Sequence, residues 1–231
     1  FPVNSDLIMY LQYLNICRHL IYLIVRKGYY MDIDFTKLIN RKTTICDREI
    51  YREFSILIPM IKVGNEYSLL FEIRSENLLK QPKEICFPGG KIEDLESAQQ
   101  AALRETSEEL LIPEADIDVI AELDTVVTPF NSILYPFVGK LREYKGTFNH
   151  EEVKETFIAP LSFFMENAPL HHDISIRMKP EEDFPYHMIQ NGKDYAWGKG
   201  SYPEYFYIYE DKIIWGLTAR IINNFIQILT V

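Results

Sequence analysis

The stretch "CFPGGKIEDLESAQQAALRETSEEL" (Cys86–Leu110) crowds Glu105, Glu108 and Glu109 near the end of a helix-forming run. Like charges one turn apart destabilise an isolated helix by about 0.2–0.5 kcal/mol per pair. Gly89 and Gly90 precede the run, and glycine lets a backbone approach a ligand closely. The pattern therefore predicts that a cation neutralises these carboxylates beside a glycine turn.

Helical spacing predicts how this run is oriented. We expect a helix over residues 94–111, ended by Pro113. Its core face is predicted to be an apolar stripe of Leu95, Ala98, Ala102, Thr106 and Leu110. The three glutamates then share one arc at the edge of the stripe, and Arg104 lies one turn before Glu108, where it can hold that carboxylate.

The clustered acids favour a metal site. Mg²⁺ prefers oxygen ligands and commonly takes one or two carboxylates together with substrate phosphates. Glu105, Glu108 and Glu109 are the candidate ligands, and the backbone carbonyl of Gly89 is a further one. The alternative is a solvated acidic helix face. The adjacent glycines favour the metal site over this alternative, because they allow the backbone to approach a ligand.

The same stretch resembles the Nudix box, GX5EX7REUXEEXGU with U aliphatic. Its glycine, arginine and four glutamates fall in register at Gly90, Glu96, Arg104, Glu105, Glu108 and Glu109, and Ile112 fills the last aliphatic position. The chain departs from the box twice. Thr106 replaces an aliphatic residue, and Leu111 replaces the glycine that ends the helix, so that turn is expected to differ in shape.

The resemblance implies an α/β fold, the Nudix α/β/α sandwich with a mixed β-sheet flanked by helices. It implies Mg²⁺- or Mn²⁺-dependent hydrolysis of a nucleoside diphosphate derivative. Glu105 and Glu109 would be the principal metal ligands, and Glu108 would share a second ion or orient water. Arg104 would orient the carboxylates, with Glu96 in a structural or secondary role.

A catalytic base outside the box is usual in this family. The segment "NHEEVKETF" offers Glu151, Glu152 and Glu155, and Glu152 is the residue that we favour. A solvated loop is the alternative interpretation of this segment.

The upstream segment "LLFEIRSENLLKQPKEICFPGGK" is similar to the signature of the coenzyme A diphosphatase branch, LLTXRSX3RX3GX3FPGG. Phe71, Leu79 and Lys83 depart from it, and Lys80 adjoins the arginine position held by Leu79. The candidate substrate-binding residues are therefore Arg74, Lys80 and Gly90. Arg74 and Lys80 would bind phosphate groups through their positive charge. The branch implies coenzyme A or its thioesters as substrate. The alternatives are an ADP-ribose or dinucleotide pyrophosphatase and a non-catalytic ligand-binding domain.

Composition limits the partners. The 231 residues fit one domain, or one domain with an appendage. A net charge of −10 without a basic cluster argues against nucleic acid. Three isolated cysteines favour a reducing compartment, and we expect a cytoplasmic protein. The sequence leaves the oligomeric state open.

The predicted domains are an apolar extension, residues 1–30, and the Nudix domain, residues 31–231. The segment from Leu7 to Val25 is apolar but contains Arg18, which is costly in a membrane, so membrane association is not expected. A non-native extension, a packing helix and a membrane anchor stay open for it.

Strand-like runs surround the box. Residues 52–63 and 68–75 are predicted to form a hairpin, followed by strands at 85–87, 117–128 and 133–141. A last helix is expected from about Ile214. His171 and His172 are interpreted as surface or loop residues, and the predicted packing residues of an aromatic strand are Tyr202, Tyr205, Tyr207 and Tyr209.

Overall fold

A computed structural model describes residues 36–39 and 41–230. The chain divides into two units, residues 1–48 and 49–231. In the first, the described residues contain helix α1 (Thr36–Ile39). The predictions for residues 1–30 lie outside the described residues. Within the part that is described, no helix has the length and apolar character needed to span a membrane.

The second unit is built on an eight-stranded mixed sheet. Strands β1 and β2 form the predicted antiparallel hairpin, and β1 pairs in parallel with β7. The order along the sheet is β3-β2-β1-β7-β5, with β4 on β1, β6 on β7 and β8 on β2. The strands are β1 (Arg52–Val63), β2 (Glu66–Arg74), β3 (Ile85–Cys86), β4 (Gly89–Lys91), β5 (Ile117–Glu122), β6 (Val126–Thr128), β7 (Ser132–Leu141) and β8 (Val153–Pro160).

A three-stranded antiparallel sheet follows, made of β9 (Leu170–Arg177), β10 (Lys199–Tyr209) and β11 (Lys212–Trp215). Strand β9 was not predicted, and its His171 and His172 are exposed, as expected of surface residues. The predicted strand over 117–128 is two strands, because β5 and β6 pair with different parts of β7.

Helices cover both faces of the larger sheet. They are α2 (Ala98–Leu110), α3 (Leu161–Glu166) and α4 (Gly216–Thr230). Successive strand residues point to opposite faces, and on β1 Leu57 packs with the α2 cluster whereas Ile58 packs with the α3–α4 cluster. The sheet therefore has a helix-covered core on each face, which is the predicted α/β/α sandwich.

The start of α2 differs from the prediction. The helix begins after a capping box at Ser97. The Ser97 hydroxyl accepts a hydrogen bond from the Gln100 N–H, and the Gln100 side chain accepts one from the Ser97 N–H. Leu95 lies before this cap with a left-handed φ of 72° and is fully exposed. Its predicted place in the core stripe is therefore wrong, whereas Ala102, Thr106 and Leu110 are buried as expected. The last helix begins at Gly216 rather than Ile214 because β11 continues to Trp215.

Candidate active site

The glycine turn and the end of α2 meet at two carboxylates. The Gly89 N–H donates to Oε2 of Glu109 over 2.9 Å. At Gly90 an added Cβ would lie 2.2 Å from Cδ of Glu105. Only a residue without a side chain allows this approach, so Gly90 has a steric reason to be glycine.

Arg104 organises the outer side of this cluster. Its guanidinium donates to both oxygens of Glu96 at 2.9 and 3.1 Å and to Glu105 at 2.8 Å. The predicted contact with Glu108 is present but is longer, 3.4 Å, and the Glu108 side chain is 57% exposed. Arg104 therefore positions mainly Glu105 and Glu96, and Glu108 remains free to turn toward a ligand.

Burial makes the inner carboxylates hard to ionise. The pKa of Glu109 is raised to about 8, chiefly by burial and further by the charges of Glu105 and Glu152, although the Gly89 N–H opposes this. Burial also raises the pKa of Glu105, against the lowering effect of Arg104. A bound cation would offset both penalties.

Glu72 is a buried site residue that sequence reasoning missed. It lies on β2 with 1% of its surface exposed, and Oε1 accepts no hydrogen bond from the described residues. Burial, followed by the nearby charge of Glu109, raises its pKa. The available signal was a single acid inside the apolar run "LLFEI", since an ionisable residue is rarely fully buried without a partner.

The predicted base region also reaches the site. The Asn149 N–H donates to the Glu109 carbonyl over 2.8 Å, and the Ser75 N–H donates to the Glu152 carbonyl over 2.8 Å. Glu152 is exposed, and its charge contributes to the raised pKa values of Glu105 and Glu109. Glu155 instead lies 4.0 Å from Lys212. Of the predicted candidates, Glu152 is the one whose charge acts on the cluster.

The donor set fits a hard divalent cation. Among the described residues, no three His, Cys, Asp or Glu side chains already stand in an arrangement that could hold a metal. Glu105 and Glu109 nevertheless meet at the glycine turn, where burial raises the pKa of both, and a bound cation would favour their ionised forms. Glu105 and Glu109 would hold the ion, with Glu108 turning in to complete the ligand set.

A cavity of about 380 Å³ opens beside the glycine turn. Arg74 and Gly89 line it, and Nε of Arg74 is buried without a hydrogen-bond acceptor in the described part of the chain. Lys80 is exposed and is not among the lining residues. Lys83, at the glycine position of the upstream signature, has the left-handed φ of 64° that favours glycine.

An α/β/α sandwich with paired glutamates beside a glycine turn is the arrangement of a Nudix hydrolase. The sequence profile of the NUDIX domain matches residues 55–180. The chain therefore belongs to the Nudix family, and its enzyme class is that of a Nudix diphosphatase. The predictions of family, fold class and enzyme class are confirmed.

Two relatives in sequence are informative. The peroxisomal coenzyme A diphosphatase NUDT7 of Mus musculus is 30% identical over 71% of this chain and 66% of its own length. The chain thus spans just under two thirds of that protein. Nudix hydrolase 3 of Caenorhabditis elegans is 26% identical over 80% of this chain and 76% of its own.

A solved structure is also similar. The Ap4A hydrolase of C. elegans, in a binary complex, superposes with a TM-score of 0.42 at 20% identity. The match covers 47% of this chain and 80% of that one.

Proposed function

We propose that this chain hydrolyses the diphosphate linkage of coenzyme A or its thioesters with Mg²⁺ or Mn²⁺. The products would be 3′,5′-ADP and 4′-phosphopantetheine or its acyl derivative. The single observation that carries the proposal is the meeting of Glu105 and Glu109 at Gly89 and Gly90, beside a cavity lined by Arg74. The upstream signature and the similarity to the mouse coenzyme A diphosphatase support the substrate.

In the proposed reaction the metal ion and the site residues have different roles. A divalent ion, when bound, neutralises the diphosphate oxygens and lowers the pKa of bound water. Arg104 holds Glu105 in position, and the Gly89 N–H holds Glu109. Glu152 is exposed beside the cluster, where it can take a proton from the attacking water. Arg74 supplies positive charge for a phosphate.

The test is product analysis by mass spectrometry. The full chain is incubated with coenzyme A, acetyl-coenzyme A, ADP-ribose and a dinucleoside polyphosphate, each with Mg²⁺ and with Mn²⁺. We expect coenzyme A and its thioester to give 3′,5′-ADP with the highest kcat/KM. Faster cleavage of ADP-ribose would refute the substrate, and cleavage of none would refute the activity.

We also propose that residues 31–231 suffice for this activity. A chain starting at Met31 should keep the kcat/KM of the full chain, and loss of activity in that chain would contradict the proposal. A small nucleotide as partner, rather than nucleic acid, agrees with the net charge. The cytoplasmic location stays a prediction, since the mouse relative is named as peroxisomal.

A further inference from the structure

The cavity beside the glycine turn continues onto the second sheet. Its lining includes Tyr202 and Glu204 of β10, Trp215 of β11 and Leu217 at the start of α4. The metal-binding glutamates are not among the lining residues. The cavity is therefore a compartment beside the proposed site of cleavage, and it shares Gly89 and Arg74 with that site.

Two aromatic rings border this compartment and are open to solvent. Phe130, in the turn between β6 and β7, is 70% exposed, and Trp215 is 44% exposed. Trp215 is held by stacking on Phe206, with ring centroids 6.1 Å apart. Exposed rings beside a cavity with apolar walls can bind a planar heterocycle by stacking.

The ring of Tyr202 is fixed in place. It is 9% exposed and packs edge to face against the Phe130 ring. The Arg220 guanidinium lies over the Tyr202 ring, 5.0 Å from its centroid. Tyr202 therefore forms a rigid wall, and the two exposed rings are the ones that a ligand can cover.

Glu204 is the polar group on this side of the cavity. Its Oε2 is buried and accepts no hydrogen bond from the described residues. A buried acceptor without a donor is unfavourable, so a ligand that brings a donor gains affinity. The charge of the Arg220 guanidinium also acts on Glu204, yet Oε2 still lacks a donor, so an N–H group of a ligand suits this position.

Among the charged residues that line the cavity, Arg74 is the cation, and Glu84 and Glu204 are the carboxylates. Arg74 and Gly89 belong to the larger sheet at the glycine turn, whereas Glu204 belongs to the second sheet. This distribution suits a ligand whose anionic end lies at the turn and whose uncharged end donates hydrogen bonds.

We propose that this compartment binds the purine base of a nucleoside diphosphate, with Glu204 accepting from the exocyclic amino group and Phe130 and Trp215 contacting the ring. The inference rests on the proposed diphosphatase function and adds the residues that would select the base.

The test uses ADP and purine riboside 5′-diphosphate, which differ only in the exocyclic amino group. Binding to the full chain in Mg²⁺ is measured by titration calorimetry, and chromatography checks that each ligand stays intact. We expect the native chain to bind ADP at least about tenfold more tightly, because a hydrogen bond to a charged acceptor is lost with the other ligand. Equal affinities would overturn the proposal.

Glu204→Met removes the acceptor and keeps the length of the side chain. The preference for ADP should then disappear. Exposed Glu210→Met, in the turn that follows the same strand, should keep the native preference. An unchanged preference in Glu204→Met would overturn the proposal.

Phe130→Ala is a second test, which stays valid even if Glu204→Met fails to fold. Because the Phe130 ring is exposed, its removal should leave the fold intact. It should weaken both ligands equally, by about fivefold or more, because stacking does not need the amino group. Unchanged affinity in this variant would refute the base site. The hydrolysis panel separately tests the diphosphatase function, so failure of one proposal can be told from failure of the other.

Discussion

The Glu105 carboxylate lies so close to Gly90 that a Cβ at that position would be 2.2 Å from Cδ. In Gly90→Ala the carboxylate must move, because the backbone of β4 is held by its pairing with β1. We expect kcat/KM to fall by about 10²-fold, the effect of displacing a site group by about 1 Å. The measurement is hydrolysis of the proposed substrate at saturating Mg²⁺.

Gly198→Ala is the matched control for this change, since nothing lies within 4 Å of its added Cβ. It should retain native kinetics. Native kinetics in Gly90→Ala would contradict the placement of Glu105 in the active site.

Glu109→Gln tests the second carboxylate. The amide is nearly the same shape and can still accept from the Gly89 N–H, but it lacks the charge that a cation requires. Removing several kcal/mol of metal-dependent stabilisation should lower kcat by at least about 10²-fold. Exposed Glu122→Gln is the control and should behave as the native chain. Near-native turnover in Glu109→Gln would remove Glu109 from the metal site.

The same substitution should change how stability depends on pH. The pKa of Glu109 is about 8 in the folded chain and about 4.3 in the unfolded one. The folded state therefore holds this proton more tightly, and its stabilising contribution, complete below about pH 4.3, is lost as pH rises through 8. In EDTA, the native Tm should decline from pH 5 to pH 8.5 more steeply than that of Glu109→Gln. Parallel curves would show that Glu109 is ionised at neutral pH.

The end of α2 shows what a departure from the Nudix box does. Leu111, in the glycine position, takes the left-handed conformation with φ 53° and ψ 46°, so the turn keeps the shape that glycine would give. The expectation of a different turn is wrong, because the chain accepts backbone strain instead. The strain costs about 1–2 kcal/mol, partly offset in Leu111→Gly by the greater entropy of unfolded glycine.

Leu111→Gly should therefore raise the Tm by about 1–4 °C. Leu111→Ala is the control, since it removes the exposed side chain but keeps the strained backbone, and its Tm should not rise. A lower Tm in Leu111→Gly than in Leu111→Ala would contradict this account.

Local patterns predicted most of the fold. The limits of β1 agree with the predicted strand because an apolar run there ends at a glycine turn. Leu95 was misplaced because periodicity alone does not show where a capping box starts a helix. Strand β9 was missed because its residues are mostly exposed and it depends on pairing with β10.

The site was only partly predictable for a similar reason. The box carboxylates are close in sequence, so helical spacing placed Glu105 and Glu109 together. Glu72 acts on Glu109 from strand β2, which is distant in sequence from helix α2, and Glu204 lines the cavity from the second sheet. Such contacts depend on how the sheets pack, which a single sequence does not reveal.

The two predicted phosphate-binding cations can now be separated. Arg74 lines the cavity with Nε buried and without an acceptor in the described chain, whereas Lys80 is exposed outside it. Arg74→Ala should lower kcat/KM for coenzyme A by about 10–150-fold, the loss of a charged hydrogen bond of about 1.5–3 kcal/mol. Lys80→Ala is the matched control and should change kcat/KM less than about twofold.

Comparing coenzyme A with 3′-dephospho-coenzyme A then shows which phosphate Arg74 contacts. If the preference for coenzyme A persists in Arg74→Ala, the residue contacts the diphosphate, and if it disappears, the residue contacts the 3′-phosphate. A larger loss in Lys80→Ala than in Arg74→Ala would contradict the assignment of Arg74.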